Sequence, residues 1–64
     1  MAIDVAQGCR VRMLAGRWSG FRGRVVAVYP HIPTHVRVRF ESDTGRLTKA
    51  EDVVRVDDCL RVPE

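Results

Sequence analysis

A chain of 64 residues, 45% hydrophobic and 30% charged, has room for one small core and no second domain. Its numerous, regularly placed valines exclude a disordered chain. No apolar run reaches the roughly 20 residues needed to cross a bilayer as a helix, and the start MAIDVAQG lacks the basic-then-apolar order of a secretory signal. A cytoplasmic protein with no membrane contact is expected. The net charge of +3 comes from ten arginines and a single lysine, Lys49, and it is unevenly spread, +6 over residues 1–40 and −3 over 41–64. Arginine's planar fork grips phosphates and carboxylates and stacks on bases. In a barrel the charge division leaves two outcomes open, one basic and one acidic face, or cancellation through ordinary surface pairing. A genome favouring arginine codons would give the same excess without a function.

Taken in order, residues 1–7 read as a short arm, with Ile3 and Val5 its apolar members. From Gly8, Cys9, Val11 and Met13 alternate with Arg10 and Arg12, which predicts a strand with one buried face. Residues 15–20, with Gly16, Ser19 and Gly20, predict a loop. A second strand is expected over 21–29, and its adjacent Val25 and Val26 predict a bulge or strong coiling. Pro30 and Pro33 make 30–34 a connector. The alternation of Val36, Val38 and Phe40 with His35, Arg37, Arg39 and Glu41 predicts a third strand with a period of two. Asp43, Thr44 and Gly45 predict a hairpin turn over 42–45. A short fourth strand is expected at 46–48, a single helical or 3-10 turn at 49–52, a fifth strand at 53–56 and a tail over 59–64. Five short strands without helical periodicity predict an all-β fold, a small five-stranded barrel spanning 8–58.

The stretch GCRVRMLAGRWSGFRGRVVAV, residues 8–28, resembles the KOW motif of NusG-type transcription factors and ribosomal proteins. The matching positions are Gly8, Val11, Met13, Gly16, Trp18, Gly20, Gly23, Val25 and Val28. The resemblance covers about a third of the chain and implies an SH3-like barrel with a 3-10 turn before its last strand. It also implies contact with RNA, a ribonucleoprotein or RNA polymerase through the loop at 17–20. Basic residues in such loops are often lysines, whereas here all are arginines. The residues themselves give Trp18 two open roles, a lid on the core or a platform on which bases stack. Arg17, Arg22 and Arg24 around the loop, with Arg37 and Arg39 on the third strand, form with Trp18 and Phe21 the candidate binding set.

Other readings have less to rest on. His31, His35, Cys9 and Cys59 include no Cys-x-x-Cys knuckle, and Pro33 breaks the segment between the histidines, so no metal is expected. Ser19 and Cys9 have no base and carboxylate beside them in sequence, so no catalysis and no cofactor are expected. Free, buried thiols are expected of Cys9 and Cys59. The first hairpin is also loosely similar to that of type II dihydrofolate reductases, tetramers whose pore needs a Val-Gln-Ile-Tyr stretch. Here the corresponding Gly45-Arg46-Leu47-Thr48-Lys49 has neither glutamine nor tyrosine. A protein-interaction or self-assembling module, with Trp18, Phe21 and Tyr29 at its contact surface, is the alternative from a different class.

Overall fold

The computed structural model describes residues 5–63; most of the expected N-terminal arm, residues 1–4, lies outside them. The strands are β1 Arg10–Met13, β2 Arg22–Val28, β3 His35–Glu41, β4 Leu47–Arg55 and β5 Cys59–Arg61, with one 3-10 turn at Val56–Asp58. All pair antiparallel in one sheet, in the order β4-β3-β2-β1-β5. The all-β architecture expected from the sequence is therefore the one observed.

Alternation decides which face is buried. Cys9, Val11 and Met13 at β1, Val25 of β2, and Val36, Val38 and Phe40 of β3 join Val54 of β4 and Cys59 of β5 in one core cluster. Residues from the two outermost strands share that cluster, so the sheet curls round its own apolar face. Val5, Trp18 and Val56 pack against it from outside. The thiols of Cys9 and Cys59 are both free and buried. Loss of water raises the Cys59 thiol to about 11.

Two irregularities shape the curl. The β2–β3 register shifts between Val25 and Ala27, which makes Val26 the extra residue of the bulge that the double valine predicts. At Gly23 the two strands approach so closely that an added Cβ would lie 2.5 Å from the Arg39 carbonyl oxygen and 2.6 Å from Val38 Cγ1. Only glycine fits there.

The C-terminal third departs from expectation. Residues 46–56 were expected as strand, helical or 3-10 turn and strand, but one nine-residue strand, β4, runs through most of them. The polar run Thr48 to Asp52 resembles a turn because it holds a bulge, where the β3–β4 register shifts between Arg39 and Glu41. Thr48 Oγ1 donates to the Phe40 carbonyl at 2.9 Å and accepts from the Ala50 amide at 3.1 Å, so a side chain supplies bonds the ladder loses. The 3-10 turn falls instead at Val56–Asp58. The segment expected as a tail contributes β5, which pairs with β1 through Val11↔Arg61 and Met13↔Cys59. Only three residues long and exposed at two of them, β5 has too little apolar alternation to be read from sequence.

Candidate nucleic-acid interface

The segments RVR in β1, RGR in β2 and RVR in β3 lie on three neighbouring strands. In each, the residue between the arginines is buried, so the arginines share the sheet's opposite face. The register sets Arg10 opposite Arg24, Arg24 opposite Arg39, and Arg12 opposite Arg22. Like charges directly opposite one another destabilise an antiparallel pair. Six of the ten arginines thus share one face, where only carboxylates or other acceptors can offset their juxtaposition.

Two glutamates on the same face moderate the crowding. Glu41, with a side chain only 5% exposed, accepts from Arg10 Nη2 at 2.8 Å and Nε at 3.0 Å. This bidentate pair reaches across β2 and is of the strong, charge-assisted kind. Glu51 accepts from Arg39 Nε at 2.8 Å and from Arg37 Nη1 at 3.4 Å. The Arg39 hydrogen bonds hold its carboxyl below the ordinary value. Arg37 Nε also donates to the Tyr29 hydroxyl at 3.0 Å, and Arg24 to the Gly8 carbonyl at 3.0 Å. Arg12 and Arg22 make no hydrogen bond or ion pair with any described residue.

The β1–β2 loop divides the candidate set. A turn closes from the Phe21 amide to the Trp18 carbonyl at 2.9 Å, with Gly20 in the left-handed region at φ +87°, where a side chain would be strained. On one side Arg17 and Trp18 line a cleft with Asp52, Asp58 and His35. The Trp18 ring stacks on buried Phe40 (4.0 Å, 11°), and its Nε1 donates to Asp52 Oδ2 at 2.8 Å. These are the contacts of a lid on the core. Arg17 Cζ lies over the same ring at 5.6 Å. On the other side Phe21 and Arg22 line a second open cleft of about 450 Å³, with Arg10, Glu41, Ser42 and Asp43. Phe21 is 46% exposed.

The structure therefore places Arg22, Arg24, Arg37 and Arg39 on one face, with Phe21 beside Arg22 in the cleft; Trp18 packs edge-to-face against Phe21 and lines, with Arg17, the cleft on the other side of the loop. Sequence reading left out Arg10, Arg12 and the hairpin at 42–45. The threefold Arg-x-Arg spacing was the available signal for the first two. Among the described residues no group of three or more metal-ligating side chains could hold an ion, and no helix is long and apolar enough to cross a membrane.

No protein-family model matches the chain, and no curated protein matches it. One chain of a crystal structure of the MjSpt4:Spt5 complex, in its conformation B, is similar over all of this chain, with a TM-score of 0.79 and 20% identity. The fold is SH3-like. At that identity the likeness concerns fold alone, and this chain spans 41% of that chain's length. The SH3-like barrel implied by residues 8–28 is the observed architecture, including a 3-10 turn before the last strand.

Proposed function

We propose that this is a binding module, not an enzyme, which contacts RNA within a transcription or translation assembly through the arginine face of β1, β2 and β3. The observation that carries the reading is the directly opposed pair Arg12–Arg22 on the six-arginine face of β1, β2 and β3. Phosphates relieve that repulsion, and each neutralised phosphate releases condensed counterions. The fold supports the setting, since its structural neighbour belongs to an Spt4:Spt5 complex; fold by itself leaves the partner open.

The test is retention of labelled RNA over a salt series. Affinity should fall linearly on logarithmic axes, and Arg12→Gln with Arg22→Gln should reduce the slope by roughly 0.7 per lost phosphate contact on a single strand. Absence of binding at low salt would sink the proposal.

A second reading, a protein-docking module, has its own observation. Tyr29, Ile32, His35 and Val53 line an apolar hollow, with Ile32 53% and Val53 43% exposed. Its mark would be a solution mass above 7.3 kDa that nuclease leaves unchanged.

A further inference from the structure

The cleft on the Phe21 side of the β1–β2 loop has features that phosphate binding alone does not need. Phe21 is an exposed aromatic, yet it is held firmly. Its ring lies edge-to-face with Trp18 (5.4 Å, 88°) and with Phe40 (6.4 Å, 80°). Its carbonyl accepts from the Met13 amide at 2.8 Å. The opposite wall is the hairpin with Ser42, Asp43 and Gly45, and Arg10 and Glu41 also line the cleft. The hairpin is itself closed by Ser42 N–H to the Arg46 carbonyl at 2.8 Å and Gly45 N–H to the Ser42 carbonyl at 2.9 Å. The cleft thus joins an exposed aromatic to a polar wall held rigid by its own hydrogen bonds, and Arg22, which also lines it, stands opposite Arg12 in the ladder.

We propose that this cleft seats one unstacked nucleobase of a single RNA strand against Phe21, while Arg12 and Arg22 grip the neighbouring phosphate. The inference rests on the RNA-binding reading and adds to it the form of RNA recognised. A paired base in an A-form duplex is already stacked and offers only shallow-groove edges and backbone, whereas a splayed base in a single strand can stack on an aromatic ring. The volume lies within the roughly 300–1,000 Å³ of ordinary small-ligand clefts. The sequence leaves Trp18 open as lid or platform. With that ring laid on Phe40, the role passes to Phe21.

The experiment compares a single-stranded RNA of about ten nucleotides with the blunt duplex of the same sequence, at matched salt. The wild-type chain should bind the single strand more tightly. Phe21→Leu, which keeps an apolar side chain against Trp18, should weaken single-strand binding by roughly 5- to 100-fold and leave the salt slope unchanged. Phe21→Trp should restore it, and circular dichroism confirms that each variant is folded. Equal wild-type affinity for both forms, or an unchanged affinity in folded Phe21→Leu, overturns the seated base; a persisting salt slope then leaves the RNA-binding reading standing. Failure to bind either form removes both.

Discussion

The indole of Trp18 closes the barrel by two contacts of different kind, a stack on Phe40 and a hydrogen bond to Asp52 on β4. The second makes the closure sensitive to acid. The hydrogen bond from Trp18, helped by the Val53 amide, holds the Asp52 carboxyl below its ordinary 3.8. A folded value below the unfolded one means that the unfolded chain takes up the proton more readily. The contribution is fully present above pH 3.8 and is lost as the pH falls through the lowered folded value. Trp18 is the single tryptophan, so its fluorescence reports the event. Acid titration should shift the emission below pH 3.8, and Asp52→Asn, whose amide oxygen still accepts from the indole, should flatten that part of the curve. Superimposable curves for the two proteins would show that Asp52 does not couple the lid to pH.

At the scale of elements, legibility followed the regularity of the side-chain pattern. β3 was readable because Val36, Val38 and Phe40 alternate without interruption, and the β2 bulge because Val25 and Val26 interrupt an otherwise clear strand. β4 was not. Its residues 48–50 are held by a hydroxyl in place of a regular ladder, and a hydrophobicity pattern does not record that bond. The candidate site divided similarly. The arginines on β2 and β3 were legible as outward residues, but their meeting with Arg10 and Arg12 depends on strand order, which sequence left open. The hairpin wall opposite Phe21 is a tertiary neighbour. Thr48→Val tests the account of β4. It keeps the branched shape, removes the bonds to Phe40 and Ala50, and should cost about 1–2 kcal/mol in denaturant unfolding. Faster amide exchange at Ala50 should accompany it, and an unchanged midpoint would mean that the bulge is held by packing alone.

For the whole molecule, the proposed RNA contact would make the arginine face set stability against binding. Positions 12 and 22 sit directly opposite one another with no carboxylate partner among the described residues. In the unbound protein that juxtaposition is a cost, which bound phosphate would turn into attraction. Arg12→Thr removes one charge and supplies a residue favoured in strands. The free variant should be more stable than wild type at low salt by roughly 0.2–1 kcal/mol. The gain should shrink towards 1 M salt, where the screening length falls to about 3 Å. Binding of RNA should move the opposite way, with weaker affinity and a shallower salt slope. Thermal unfolding with and without RNA measures both effects on the same samples. A variant less stable at low salt, or a gain indifferent to salt, would mean that Arg12 is held by packing of its stem. The crowding of arginines would then be no trace of a ligand.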